Sequence, residues 1–210
     1  MSMLEDNDLF IFDWDGTLST STLIVAISRL LTRRYDPEYV KKHEAKYRAI
    51  VRNVEIRETR SRALAAVYDM YIRFFPPRMK GGAIDLLKYL RKSGKKIALF
   101  SDSKGYRLTA ELRTLHVFDY FDFVLSASSI DRYKPDPTGI LAIMDRYKIK
   151  SSRCVYLGDT ATDTLAARFA GINACAIGDG MEPYQKLVSV EPDYIYWSLG
   201  DILAGTVRNH

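Results

Sequence analysis

Cysteine and histidine are scarce in this chain. Its 210 residues include two cysteines and three histidines. Cys154 and Cys175 both lie within apolar runs, so the pattern predicts buried thiols. The histidines are scattered without the spacing of metal ligands. A disulfide framework and a zinc site are therefore both disfavoured.

Long hydrophobic runs are also missing. No apolar run approaches the roughly 20 residues that cross a bilayer. Residues 1–8 are polar and acidic, so we expect no secretory signal. The hydrophobic content of 47% is ordinary for a globular protein. We expect a cytoplasmic protein with one sizeable core, an accessory domain and no membrane partner.

Proline and glycine are absent from residues 39–75, where basic residues are abundant. Residues 19–80 contain fourteen Lys and Arg against six Asp and Glu, whereas the whole chain has a net charge of +5. Apolar residues recur there at helical spacing, and the sequence DPE at residues 36–38 is typical of a helix start. We therefore predict an all-helical insertion of three or four helices, closed by Pro76 and Pro77.

Two carboxylates follow the first apolar run of the chain. Residues 9–12 predict a short buried strand, and the sequence DWDGT follows directly at residues 13–17. In an α/β sheet, the carboxyl end of such a strand enters the ligand crevice. Gly16 permits a turn that brings the Asp13 side chain and the Asp15 carbonyl together, which suits Mg²⁺. A plain Asp-Gly turn is the alternative interpretation.

Polar groups also occur at three further places along the chain. Residues 96–100 lead into Ser101, a KPDP turn contains Lys134, and residues 154–157 lead into the sequence GDTATD at 158–163. The regular alternation of strands and helices predicts a parallel sheet with helices on both faces, with a short edge strand near residues 192–196. These polar groups are then expected to meet at one edge of the sheet.

The four motifs, in this order, resemble those of the haloacid dehalogenase-like hydrolase superfamily, and most closely its phosphoglycolate phosphatase-like branch. The motifs of that family are DxDGT, a Ser or Thr after a strand, a Lys often in KPxP, and GDxxxD. The matching framework covers most of residues 8–185. The resemblance implies a Rossmann-like core of residues 1–18 and 79–210, with a helical cap of residues 19–78 inserted after the first strand.

The resemblance also implies an activity, a Mg²⁺-dependent hydrolysis of a small phosphomonoester through an aspartyl-phosphate intermediate. Phosphoryl transfer requires an in-line nucleophile, neutralised phosphoryl oxygens and a protonated leaving group. We expect Asp13 to be the nucleophile and Asp15 the general acid and base. The expected Mg²⁺ ligands are Asp13, the Asp15 carbonyl and Asp159.

The remaining site residues are expected to bind the phosphoryl group or to orient its ligands. Ser101 and Lys134 would contact the phosphoryl oxygens, although a helix cap and a surface lysine are the alternatives. Asp102 is grouped with the substrate-binding residues because it follows Ser101. Its side chain is expected to be only a turn residue, because a carboxylate gains nothing from an anionic substrate. Thr17 and Asp163 would orient the metal-binding and phosphate-binding groups without contacting the metal themselves. Asp163 could instead be a simple charge at a helix N-terminus.

Other activities of the superfamily remain to be separated. Dehalogenases lack the second Asp of the first motif and phosphonatases carry a small residue there, whereas this chain has Asp15. A phosphomutase of the β-phosphoglucomutase type keeps the same core residues and stays an alternative. A non-enzymatic phosphate-binding regulatory domain also stays an alternative, although damage to at least one motif would be expected of it.

The basic residues of the predicted cap raise the question of what they bind. A small phosphorylated metabolite with a second negative charge is one interpretation, and a solvated helix face is the other. Nucleic acid is a weaker expectation, because no recognised binding module accompanies the charges. The candidate arginines are Arg29, Arg33, Arg48 and Arg52.

We predict that replacing the responsible cap arginine by Ala lowers kcat/KM for a phosphorylated carboxylic acid at least tenfold. A hydrogen bond to a charged group contributes about 1.5–3 kcal/mol, which corresponds to that loss. A neutral aryl phosphate should be little affected, and steady-state kinetics on both substrates measures the difference. If no single or paired substitution changes the preference, the charge is only solvated.

Overall fold

The core of the protein is a six-stranded parallel sheet. A computed structural model describes residues 2–20 and 62–205. The strands are β1 Leu9–Phe12, β2 Lys96–Ser101, β3 Phe123–Ser126, β4 Cys154–Gly158, β5 Asn173–Ile177 and β6 Tyr194–Tyr196. Their order is β3-β2-β1-β4-β5-β6, and every neighbouring pair is parallel. The predicted Rossmann-like α/β sheet is confirmed.

Helices connect the strands and cover both faces of the sheet. In chain order they are α1 Met3–Asp6, α2 Arg62–Phe74, α3 Ala83–Lys92, α4 Gly105–Thr114, α5 Ala127–Ile130, α6 Thr138–Tyr147, α7 Ala161–Ala170, α8 Tyr184–Val188 and α9 Leu199–Ala204. Short 3-10 turns cover Phe118–Tyr120 and Ser151–Arg153. None of the described helices is long and apolar enough to cross a membrane.

The alternation of side chains along the strands divides the core into two apolar layers. Phe10 and Phe12 face a layer completed by α3, α4 and α9, whereas Leu9 and Ile11 face a layer completed by α6 and α7. All four residues are fully buried. A strand buried on both faces reads as a continuous hydrophobic run, which is why residues 9–12 lack polar alternation.

A paired connector leads from the core towards the predicted cap. Thr20 donates its backbone N–H to the Arg78 carbonyl at 2.8 Å, and Lys80 donates to the Leu18 carbonyl at 2.9 Å. The outgoing and returning chains thus run side by side. Helix α2 belongs to the segment predicted as cap, whereas residues 21–61, with the four candidate arginines, lie outside the described residues. The cap and its boundaries stay a prediction.

The strand-like segments predicted at residues 9–12, 96–100 and 154–157 lie within one residue of the observed strands β1, β2 and β4. The sequence pattern predicts a helix over residues 138–147, which are the bounds of α6, and β6 is the expected edge strand. Residues 148–153 look like a solvated loop in the sequence, and they are mostly exposed, with a 3-10 turn at Ser151–Arg153. Helix α9 was not predicted, although Ser198 and Asp201 form a capping box at its start. Both cysteines are buried free thiols, as expected.

We predict that Gly139→Ala destabilises the protein by about 1–3 kcal/mol. Gly139 lies in the first turn of α6, and a Cβ there would approach the buried Phe100 ring to 2.2 Å. Phe100 is fully buried in the layer under α6 and α7 and so has little room to move. Urea unfolding of both proteins measures the loss.

A matched control is Gly200→Ala in α9, where a Cβ would meet no atom of the described residues nearer than Ser198 Oγ at 3.7 Å. That variant should be as stable as wild type, or more stable by up to about 1 kcal/mol, because Ala is the better helix former. Equal unfolding midpoints for the Gly139 and Gly200 variants would contradict the packing argument.

Candidate active site

The polar residues predicted from the four motifs meet at the carboxyl edge of the sheet. Asp13 follows β1, Ser101 ends β2, Asp159 follows β4, and Lys134 lies in the loop between α5 and α6. Strands β2 and β3 lie on one side of β1, whereas β4, β5 and β6 lie on the other. This reversal of strand order creates the crevice in which α/β proteins bind ligands.

Lys134 forms the centre of a buried ion cluster. Its Nζ lies 2.8 Å from Asp13 Oδ1 and 2.7 Å from Asp163 Oδ1, and it faces the Tyr156 ring at 5.6 Å. Burial by itself would lower the pKa of Lys134, but the Asp13 and Asp163 carboxylates outweigh burial and raise it well above its usual value. The lysine is therefore held as a cation between two carboxylates.

Asp159 lies beside this cluster and is itself held by two donors. Thr17 Oγ1 donates to Asp159 Oδ1 at 3.1 Å, and the Met181 N–H donates to Asp159 Oδ2 at 2.7 Å. Carboxylate oxygens of Asp13, Asp159 and Asp163 lie within 4.8 Å of one another. Three buried carboxylates this close could hold a metal ion with oxygen ligands.

Asp163 combines two roles that the sequence left as alternatives. It forms a capping box with Thr160 at the start of α7, because its Oδ2 accepts from the Thr160 N–H at 2.9 Å. Its other carboxylate oxygen contacts Lys134. Asp163 thus both caps the start of α7 and contacts the Lys134 ammonium.

The turn after β2 is organised by Ser101 and Asp102. Ser101 is fully buried, and its Oγ accepts from the Ser103 N–H at 3.2 Å. Helix α4 begins only at Gly105, so Ser101 is not its N-cap. Asp102 Oδ1 accepts from the Lys134 backbone N–H at 3.1 Å. The acidic side chain therefore ties the turn after β2 to the lysine loop.

The Asp15 carboxylate points towards α4. Its Oδ2 accepts from Ser103 Oγ and from Arg107 Nη2. Arg107 also donates from Nη1 to Glu111 Oε1 at 2.8 Å. No sequence motif indicates these partners, because an Arg and a Glu four residues apart on a helix usually form an exposed pair. Their burial is decided by the position of α4 against Asp15.

Lys80 is a second group that the motifs did not indicate. Its Nζ donates to the Gly16 carbonyl at 2.9 Å and to the Asp179 carbonyl at 3.0 Å, and it forms an ion pair with the Asp179 carboxylate. The positive charge of Lys80, which was counted among those of residues 19–80, therefore lies in the core domain. Lys80 joins the DWDGT turn, the connector and the loop after β5.

Gly16 is required by both conformation and space. Its φ is +86°, and a Cβ would lie 2.2 Å from Asp159 Oδ2. Any other residue would be strained in this left-handed conformation and would collide with the carboxylate. The turn after β1 can therefore lie against Asp159 only with glycine at this position.

Comparison with known proteins agrees with this arrangement. The model of the family described as haloacid dehalogenase-like hydrolase matches residues 10–177. The chain belongs to this family, and the resemblance inferred from the four motifs is confirmed.

Several curated relatives are named phosphoglycolate phosphatase. Phosphoglycolate phosphatase 1 of Pseudomonas aeruginosa is 26% identical over 122 residues, which are 58% of this chain and 45% of the relative. The enzyme of Pseudomonas putida is 24% identical over 214 residues, with coverage of 94% and 79%. The chain spans about half the length of several other curated relatives that it matches.

Solved structures share the fold. CbbY from Rhodobacter sphaeroides, in complex with phosphate, has a TM-score of 0.68 at 17% identity, and the match covers 95% of this chain and 98% of CbbY. At this identity the likeness establishes the fold alone.

We predict that Lys134→Met destabilises the metal-free protein by about 3–5 kcal/mol, because it leaves the Asp13 and Asp163 carboxylates buried without their cation. Urea unfolding in the presence of a chelator measures the change. The matched control is Lys148→Met, which removes an exposed lysine paired with Asp145. The control should change stability by no more than about 0.5 kcal/mol, and equal losses in both variants would contradict the assignment.

Proposed function

We propose that this protein is a Mg²⁺-dependent phosphatase that hydrolyses a small phosphomonoester through an aspartyl-phosphate formed on Asp13. The observation that carries the proposal is the convergence of Asp13, Lys134 and Asp159 at one sheet edge, beside the separately held Asp15. Family membership and the relatives named phosphoglycolate phosphatase support the same activity.

Asp13 is suited to nucleophilic attack. Its carboxylate is fully buried and contacts the Lys134 ammonium, which keeps it ionised. In the first step an Asp13 oxygen bonds to phosphorus while the ester P–O bond breaks and Asp15 protonates the leaving oxygen. In the second step Asp15 takes a proton from water, the water oxygen bonds to phosphorus, and phosphate leaves Asp13.

The acidic cluster fits a hard divalent cation. Asp13 and Asp159 would hold it with their side chains and Asp15 with its backbone carbonyl, and the bound ion would supply positive charge opposite the phosphoryl oxygens. Thr17 and the Met181 N–H orient the Asp159 carboxylate, which supports its assignment as a ligand. Asp163 is engaged by Lys134 and by the start of α7, which supports an orienting role.

Ser101 and Lys134 are proposed to bind the phosphoryl group. Ser101 ends β2, the neighbour of β1, and is buried at the same sheet edge as Asp13. Asp102 supports this part of the site indirectly through its contact with the Lys134 backbone. CbbY, which shares this fold, is in complex with phosphate.

The substrate is proposed to be a small phosphorylated metabolite, with phosphoglycolate as the first compound to assay. The names of the curated relatives support that choice. A phosphomutase of the same family would instead need a bisphosphate and return an isomeric monophosphate. Release of inorganic phosphate in stoichiometric amounts from the monoester distinguishes the two activities.

We predict that the protein hydrolyses p-nitrophenyl phosphate in the presence of Mg²⁺ and loses this activity in EDTA. Asp13→Asn should lower kcat by at least about a thousandfold, because the nucleophile is lost while the fold stays intact. Release of p-nitrophenol measures the rate, and circular dichroism checks the fold.

The control for this prediction is Asp145→Asn, since Asp145 is exposed and forms its ion pair with the equally exposed Lys148. Its kcat should equal that of wild type. Activity that survives exhaustive chelation would refute the metal assignment. Substantial activity in the Asp13 variant would mean that another residue attacks phosphorus.

A further inference from the structure

A buried polar network lies behind the DWDGT turn. Glu111 is fully buried in α4 and accepts from Arg107 Nη1 at 2.8 Å, from Trp14 Nε1 and from the Tyr68 hydroxyl. Arg107 continues the network to Asp15. Three separate elements therefore meet at one carboxylate: the turn after β1, helix α4 and helix α2.

One face of helix α4 contacts two consecutive residues of the DWDGT turn, Trp14 and Asp15. Residues four apart on a helix lie one above the other, so Arg107 and Glu111 present neighbouring groups to the turn. Arg107 binds the Asp15 carboxylate, and Glu111 binds the Trp14 indole. Ser103 adds a second donor to the same Asp15 oxygen. The orientation of the Asp15 carboxylate is thus fixed by side chains of α4 and of the loop before it.

The electrostatics make this network sensitive to the loss of any member. Burial raises the pKa of Glu111. The Arg107 charge opposes this increase, whereas the Asp15 charge adds to it. Burial would lower the pKa of Arg107, but the charges of Asp15 and Glu111 raise it above its usual value. A buried carboxylate that loses one donor is left with an unsatisfied charge, so its neighbours must rearrange.

Tyr68 connects this network to helix α2. The tyrosine is buried, and its hydroxyl donates to the same Glu111 oxygen that Arg107 contacts. Helix α2 also packs against α4 through Tyr68 and Tyr106, whose ring centroids are 6.0 Å apart. A displacement of α2 would remove a donor from Glu111 and so disturb its pairing with Arg107.

We propose that Arg107, Glu111 and Tyr68 are positioning residues that hold Asp15 for proton transfer and make its position depend on where helix α2 lies. The inference rests on the phosphatase function proposed above. The three residues lie outside the four motifs. Through them, helix α2 of the segment predicted as cap is connected to Asp15, the proposed general acid and base.

The kinetic test compares two esters that differ in their need for protonation. The leaving group of p-nitrophenyl phosphate needs little help from an acid, whereas that of glycerol 2-phosphate needs much. Asp15→Asn provides the reference and should slow glycerol 2-phosphate far more than the aryl ester. Arg107→Met should reproduce this pattern, with kcat on glycerol 2-phosphate at least tenfold lower and kcat on the aryl ester within about threefold of wild type.

Two further variants sharpen the kinetic test. Tyr68→Phe removes a single oxygen and should give a smaller loss of the same kind, about threefold or more on glycerol 2-phosphate. In an Asp15→Asn background, Arg107→Met should lower kcat on this ester by less than about twofold further, because both residues act through one group.

Matched controls lie on the same two helices. Arg113→Met changes an exposed arginine of α4, and Tyr71→Phe changes a tyrosine of α2 whose ring stacks on Phe75. Both should behave as wild type on both esters. Equal losses on the two esters for Arg107→Met, or a rate above wild type on glycerol 2-phosphate, would overturn the proposal.

A measurement independent of turnover separates failure of this inference from failure of the proposed function. The chain has two tryptophans, so Trp197→Phe assigns the indole N–H resonance of Trp14 in an ¹H–¹⁵N spectrum. Tyr68→Phe and Asp15→Asn should both shift this resonance, and Tyr71→Phe should not. If neither variant shifts it, the network does not connect α2 to Asp15 and the proposal is wrong. An inactive wild type with these shifts present would refute the phosphatase function and leave the network in place.

Discussion

The contact of one buried ammonium with two buried carboxylates is the constraint on which the rest of the site depends. Lys134 lies between Asp13 and Asp163, within a group of three carboxylates at most 4.8 Å apart. Like charges so close and so deeply buried would repel one another strongly without a cation. The lysine loop must therefore be held accurately, and the Asp102 contact with the Lys134 backbone does this.

The turn after β1 satisfies a second constraint, which is steric. The DWDGT turn can lie against Asp159 only because Gly16 adopts a positive φ and leaves no side chain in the way. Lys80 then binds the Gly16 carbonyl and connects the turn to the loop after β5. The same turn therefore places the carboxylates and anchors the chain that leaves for the helical segment.

The opposite side of the turn carries the network of Arg107, Glu111 and Tyr68. Asp13 faces the lysine and the acidic cluster, whereas Asp15 faces α4 and its arginine. Two carboxylates two residues apart thus have different surroundings, one for nucleophilic attack and one for proton transfer in the proposed mechanism. This separation of environments gives the two identical side chains different proposed roles.

The sequence by itself determined the sheet, the longer helices that connect its strands and the polar groups at the strand ends. Continuous apolar runs such as residues 9–12 predict strands buried on both faces, and motif order predicts which residues meet. The strands and the motifs are both recognised from local sequence patterns. A parallel sheet then brings the motif residues together, because its strands all end at the same edge.

Only the tertiary structure decided the partners of Asp15 and the two contacts of Asp163. Arg107 and Glu111 look like an ordinary surface pair in the sequence, because burial depends on where α4 packs and not on spacing along the chain. Tyr68 lies 43 residues before Glu111, a separation at which no local pattern can indicate a contact. Long-range packing against a common turn is the physical reason that these residues act together.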